Sequence, residues 1–120
     1  MFFDIDDLTS LKAAISEMCA AFRDEEIPED AVFDCKLVAR ELLSNALSYG
    51  GGSARLKIER AGSEIYISVK SARSFEPPKV SRCSSVTAER GRGLYLVDAL
   101  STSRAYNEED GICVIVKIEE

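Results

Sequence analysis

The chain has 120 residues, of which 46% are hydrophobic and 30% charged, as expected for one compact domain spanning residues 1–120. Its formal net charge of −6 argues against direct nucleic-acid binding, which needs a basic surface, and is compatible with a basic protein partner. The absence of histidine excludes imidazole bases, Ser-His-Asp triads and most zinc sites.

The sequence indicates a cytoplasmic protein with no membrane segment. The first seven residues, Met-Phe-Phe-Asp-Ile-Asp-Asp, lack the basic start and long apolar run of a signal peptide. No stretch approaches the roughly 20 apolar residues that a membrane-spanning helix needs. Cys19, Cys35 and Cys113 lie within apolar patterns and are expected to be reduced core residues, whereas Cys83 falls in a polar loop.

The first half of the chain predicts a short strand and two helices. Residues 2–5 form the strand, and apolar residues then recur at helical spacing over residues 7–25. Pro28 lies beyond the end of this first helix, and the second helix is expected over residues 29–49. Three glycines at 50–52 end the second helix.

The second half of the chain predicts four strands, a loop and a third helix. Alternating apolar and polar residues indicate the strands, and apolar residues along one side indicate the helix. In chain order these are strands over 54–59 and 65–71 joined by the link 60–63, a loop over 72–90, a helix over 91–100, and strands over 103–107 and 112–118. Helices on one face of a mixed, mainly antiparallel sheet make a two-layer α/β (α+β) sandwich.

Glu41 and Asn45 are four residues apart in the predicted second helix, so they project from one side, a turn from each other. Asn45 lies roughly 80° and Glu41 roughly 120° from the centre of the apolar face, so both border the core. The carboxylate can accept a proton, and the amide oxygen can bind Mg²⁺. The alternative is a solvated pair at the helix boundary, which the spacing by itself favours.

The segment Arg90-Gly91-Arg92-Gly93-Leu94 stands where the third helix is expected to begin. Glycines let the backbone approach a ligand closely, and a helix N-terminus offers unpaired N–H groups. The two arginines add positive charge that attracts phosphate. The segment is therefore a candidate phosphate site, and the alternative is a glycine turn with exposed arginines.

In combination these features resemble the GHKL ATPase superfamily. The specific parts are Glu41-x-x-x-Asn45 within Val38–Ala46, and Gly-Arg-Gly-Leu-x-Leu-Val over Gly91–Val97, with a hairpin and a Phe-acid-Pro loop between them. The resemblance spans nearly the whole chain. It is closest to the small bacterial anti-sigma-factor serine/threonine kinases of the partner-switching type.

The resemblance implies the Bergerat ATP-binding fold, with ATP and Mg²⁺ as cofactors. Asn45 would hold Mg²⁺, and Glu41 would be the base that activates a hydroxyl group on a protein substrate. Gly91, Gly93 and Leu94 would support the phosphates beneath a lid over residues 79–90. The implied partners are an anti-anti-sigma protein, which is phosphorylated, and a sigma factor, which is sequestered. Family members often form homodimers.

The chain departs from the family at the adenine end of the site. The family has an Asp-x-Gly-x-Gly box after the third strand, whose Asp recognises the adenine amino group. Here Ser71 stands at the Asp position, and neither glycine is present. Ser71 can accept one hydrogen bond or hold a water, but it lacks the charge of a carboxylate. The usual Gly-Thr near the last strand is Gly111-Ile112.

Two functions therefore stand at this point. The first is an ATP-dependent protein kinase acting as an anti-sigma regulatory factor. The alternative is a non-enzymatic binding module on the same fold with degenerate adenine recognition. A sensor-kinase ATPase half is disfavoured, because the chain has no phosphoacceptor histidine and no room for a dimerising helical hairpin.

Overall fold

A computed structural model of the protein describes residues 1–72, 97, 99–107 and 111–118. The loop predicted over 72–90 lies outside the described residues, apart from Ala72. The third helix predicted over 91–100 is described only at Val97, Ala99 and Leu100, and all three are helical.

Within these limits the chain forms five strands and two complete helices. In chain order they are β1 (Phe2–Ile5), α1 (Leu8–Asp24), α2 (Glu29–Tyr49), β2 (Ala54–Ala61), β3 (Glu64–Ser71), β4 (Ser103–Asn107) and β5 (Gly111–Lys117). The first two predicted helices and all five predicted strands are confirmed. The hairpin strands β2 and β3 are longer than predicted, so that only Gly62 and Ser63 remain between them.

The strands form one sheet in the order β1-β2-β3-β5-β4, and the four pairings are antiparallel. Strand β3 lies at the centre, between β2 and β5. Its last residue, Ser71, pairs with Ala54 at the start of β2, and Val69 pairs with Ile112 near the start of β5. The end of β3 therefore meets the beginnings of both neighbouring strands.

The core lies between the helices and one face of the sheet. Alternate residues of the central strands, such as Leu56, Ile67 and Val114, are fully buried in one cluster with Phe22 of α1 and Leu42 of α2. Burying each such side chain stabilises the fold by about 1.5–3 kcal/mol. This arrangement confirms the predicted two-layer sandwich.

Local signals in the sequence fix both ends of α1. Asp7 accepts a hydrogen bond from the Ser10 N–H at 2.7 Å, which caps the helix and lowers the pKa of the Asp7 carboxyl. After α1, Glu26 takes a left-handed φ of 59° in the turn. Arg23 and Glu29 then form an ion pair at 3.0 Å between the two helices. In the described part of the chain, no helix is long and apolar enough to cross a membrane.

Two of the three described cysteines are core residues, as predicted. Cys19 and Cys35 are buried, and burial raises the pKa of the Cys35 thiol to about 12, with a smaller contribution from Asp34. The prediction for Cys113 was wrong. Since its neighbours Ile112 and Val114 face the core, Cys113 faces the opposite side of β5, where it is half-buried. Cys83 lies outside the described residues.

Gly111 and Gly62 provide a matched test of the packing of β5 against β3. Both have a left-handed φ, 78° and 62°, but a Cβ at Gly111 would lie 2.8 Å from the Lys70 Cα, and one at Gly62 would meet no atom within 4 Å. We expect Gly62→Ala to lower the free energy of unfolding by about 1 kcal/mol through backbone strain. Gly111→Ala should lower it by about 3 kcal/mol, because overpacking adds to the strain. Urea denaturation measures the free energy of unfolding of both variants. Equal losses in the two would contradict the close approach of Gly111 to β3.

Candidate functional site

The helix α2 positions both predicted site residues of the first motif. Asn45 is 8% exposed and is the single buried polar residue in the described part of the chain, whereas Glu41 is half-buried. Three helix neighbours of Asn45 are almost completely buried, namely Leu42, Leu43 and Ala46. The packing of these neighbours fixes the helix against the sheet and therefore fixes the direction of the Asn45 side chain.

The Asn45 side chain has no hydrogen-bond partner among the described residues. A buried amide without a partner costs about 1–3 kcal/mol, so native proteins seldom keep one without a reason. A ligand atom that accepts from the amide nitrogen or coordinates the amide oxygen would remove this cost. The buried amide is the strongest sign of a binding site in the described structure.

The end of α2 meets the end of β3 at Gly50 and Ser71. Gly50 is buried and closes the helix by donating its N–H to the Ala46 carbonyl at 2.8 Å. A Cβ at Gly50 would lie 2.7 Å from the Ser71 Oγ and closer still to the Ser71 Cβ. Only glycine therefore lets the helix come this near to the strand. The sequence predicted Gly50 as a helix terminator and missed its contact with Ser71.

Strand β5 supplies the backbone on the other side of the end of β3. Gly111 is buried, and a Cβ at this position would collide with the Val69 carbonyl group. The next residue, Ile112, is 3% exposed and belongs to the core. The side chain at position 112 is thus an apolar core residue. The position where the family resemblance has a polar residue offers no hydroxyl here.

Ser71 also lines a cleft of about 450 Å³ at the edge of the sheet. Charged side chains of β1, β2 and β3 surround this cleft, with an ion pair between Asp4 and Arg55 at 3.1 Å and with Lys70 beside Ser71. The structure therefore joins Ser71 to the end of α2 through Gly50, while Glu41 and Asn45 do not line this cleft.

The predicted phosphate residues Gly91, Arg92, Gly93 and Leu94 lie outside the described residues. The nearest described residue after them is Val97, which is helical and fully buried in the core.

The metal-binding groups of the described residues suit Mg²⁺ held partly by phosphates and waters, rather than a metal ion coordinated only by protein side chains. The described residues contain no group of three or more His, Cys, Asp or Glu side chains that could hold a metal ion. Mg²⁺ takes oxygen ligands and commonly binds one or two protein groups together with phosphates and waters. The amide of Asn45 fits this role, because the residue is buried and its side chain makes no hydrogen bond within the described structure.

A comparison with protein-family models agrees with this geometry. Residues 6–118 match the model of the histidine kinase-like ATPase domain, so the chain belongs to that family. No curated protein matches the chain significantly. Membership establishes the GHKL-type ATPase fold and supports ATP binding, for which Mg²⁺ is the usual companion ion.

Asn45→Leu tests whether the buried amide is kept for a ligand. Leucine has the same branched arrangement of heavy atoms, is somewhat bulkier and needs no hydrogen bond, so we expect the free energy of unfolding to rise by about 1–2 kcal/mol. Urea denaturation without nucleotide measures this change. Ser44→Leu, at an exposed position of the same helix, serves as the control and should have little effect. A loss of stability in Asn45→Leu would mean that the native fold itself uses the amide.

Proposed function

We propose that the protein is an ATP-dependent serine/threonine protein kinase that acts as an anti-sigma regulatory factor. The observation that carries the proposal is Asn45, a buried amide with no partner in the described structure, one helical turn from the half-buried carboxylate of Glu41. Membership of the histidine kinase-like ATPase family supports the binding of ATP. The motif of Glu41 and Asn45, followed by Gly91–Val97, supports the kinase subtype.

Asn45 is proposed to anchor the metal end of the nucleotide. Mg²⁺, when bound, neutralises charge on the β- and γ-phosphates and makes the terminal phosphorus easier to attack. Gly91, Arg92, Gly93 and Leu94 are proposed to contact the phosphates through backbone N–H groups and the guanidinium, with residues 79–90 as a lid. Ser71 is proposed to face the adenine, as a neutral hydrogen-bonding group.

Glu41 is proposed to act as the general base. Its carboxylate takes the proton from a serine hydroxyl of the protein substrate, and the oxygen forms a bond to the γ-phosphorus while the bond to the leaving ADP oxygen breaks. In phosphoryl transfer of this kind, most of the rate enhancement comes from positioning the hydroxyl and the phosphate and from stabilising the charge on the phosphate. Among the described residues no cation forms an ion pair with the Glu41 carboxylate.

The proposed substrate is an anti-anti-sigma protein, and the proposed second partner is a sigma factor. Phosphorylation of the antagonist would release the kinase to hold the sigma factor. The protein is proposed to act as a homodimer, the state common in the resembled group. Support for these partners comes from the sequence resemblance, which spans nearly the whole chain.

A second function, a partner-binding module without turnover, is favoured by one specific observation. At the adenine position Ser71 replaces a carboxylate, and Gly50 crowds the Ser71 side chain from the α2 side. Loss of a charge-assisted hydrogen bond there weakens nucleotide binding by about one to two decades. A module with such weak nucleotide binding would keep its protein partner and lose catalysis.

Glu41→Gln separates the two functions. We expect the unmodified protein to transfer labelled phosphate from Mg-ATP to a serine- or threonine-containing member of an array of candidate antagonists. Because glutamine cannot take the proton, Glu41→Gln should reduce transfer by about 10²–10⁴-fold.

Binding of the same antagonist to Glu41→Gln, measured by calorimetry, should stay within about threefold of the unmodified protein. Ser48→Ala, at an exposed position about two turns beyond Glu41 along α2, is the control and should leave both values unchanged. Antagonist binding with no transfer by the unmodified protein would support the binding module instead.

A further inference from the structure

A second surface of interest lies between α1 and α2. Here a groove of about 330 Å³ is lined only by residues of the two helices. Its apolar residues are Leu8, Leu11 and Ile15 of α1. Leu11 and Ile15 are buried, but Leu8 is 59% exposed. The groove thus ends in a large apolar side chain that the described structure leaves open to solvent.

Three cationic side chains border the groove. Lys36 and Arg40 come from α2 and Lys12 comes from α1, and all three are exposed. Lys36 and Arg40 are four residues apart on one helix face, so their charges repel each other. Lys12 brings a third positive charge to the same groove from the facing helix. This arrangement is unfavourable in the free protein unless a negative group joins it.

The described residues supply no such negative group. The ion pairs in the described part of the chain use Arg23, Arg55 and Lys57, and none of the groove cations takes part in one. This is notable because the whole chain carries a net charge of −6. The groove is therefore a local positive site on an acidic protein, and its charge is available to a ligand.

The groove lies on a different side of α2 from the candidate ATP site. Arg40 and Asn45 are five residues apart and so point roughly 140° away from each other around the helix axis. Asn45 is buried beside the sheet, whereas Arg40 is exposed beside α1. A ligand in the groove has no need to displace a nucleotide held at Asn45.

We propose that the α1–α2 groove is a docking site for an acidic amphipathic segment of a partner protein. An apolar side chain of that segment covers Leu8 at the mouth of the groove. Its carboxylates contact Lys12, Lys36 and Arg40. The volume is near the lower limit of about 300 Å³ for ligand pockets, which suits one or two anchoring side chains.

A protein segment fits this chemistry better than nucleic acid. The phosphate backbone of nucleic acid would meet the cations, but it carries no aliphatic side chain for Leu8, and the net charge of −6 repels it beyond the groove. The inference goes beyond the proposed kinase activity, and its test requires no nucleotide.

The test uses a fluorescein-labelled peptide with Glu and Leu placed at helical spacing, so that carboxylates flank one apolar face. Fluorescence anisotropy with the full chain should show saturable binding. The double variant Lys36→Glu/Arg40→Glu should weaken binding by at least about tenfold, because two attractive charges become repulsive. Leu8→Ser, which keeps every charge, should weaken it severalfold.

Arg60→Glu is the matched control, since this exposed arginine lies near the end of β2 and its reversal changes the net charge equally per site. It should bind the peptide like the unmodified protein. Circular dichroism checks that each variant is folded. If Lys36→Glu/Arg40→Glu does not fold, Lys36→Gln provides a milder change of charge.

Several results would overturn the proposal. One is no saturable binding at about 1 mM peptide. Another is equal weakening by Arg60→Glu, which would indicate only a general charge effect. Tighter binding of duplex DNA or anionic vesicles through the same three cations would assign the groove to phosphate. A dimer in sedimentation that Leu8→Ser dissociates would assign it to a second copy of the chain.

Discussion

The packing of α2 against the sheet is the interaction on which the rest of the structure depends. From Ala31 to Ala46 one side of this helix is buried against β2, β3 and β5. That contact contributes much of the core and also fixes Asn45 at its edge. Because the helix cannot rotate without exposing Leu42 and Leu43, the position of the amide is set by the same packing that stabilises the fold.

The candidate site shows where the fold gives up stability. Asn45 is buried without a partner in the described structure, although a leucine there would suit the core better. Glycine at position 50 provides no side-chain packing, but it lets the helix approach Ser71. Positions that lower stability in this way are expected where a protein binds a ligand, since binding energy compensates for the loss. Family membership supports ATP as a ligand of this protein.

Much of the fold could be predicted because its signals are local. The helical period and Gly50–Gly52 gave the bounds of α2, and alternation gave the central strands. The contact of Gly50 with Ser71 was missed because it joins residues 21 positions apart, which no local pattern reveals. The side of the sheet faced by Cys113 was missed because an apolar run such as 112–116 has no polar residue to set its register. The α1–α2 groove was missed for a related reason, since Lys12 and Lys36 come from different helices.

The central claim is that Asn45 is buried to hold the metal end of a nucleotide. Calorimetric titration with ATP in the presence of Mg²⁺, performed on the unmodified chain and on Asn45→Ala, tests it most directly. The account predicts saturable binding by the unmodified chain and binding at least about tenfold weaker in Asn45→Ala, because the amide ligand is gone. Equal binding by the two proteins, or no binding by the unmodified chain at about millimolar ATP, would contradict it.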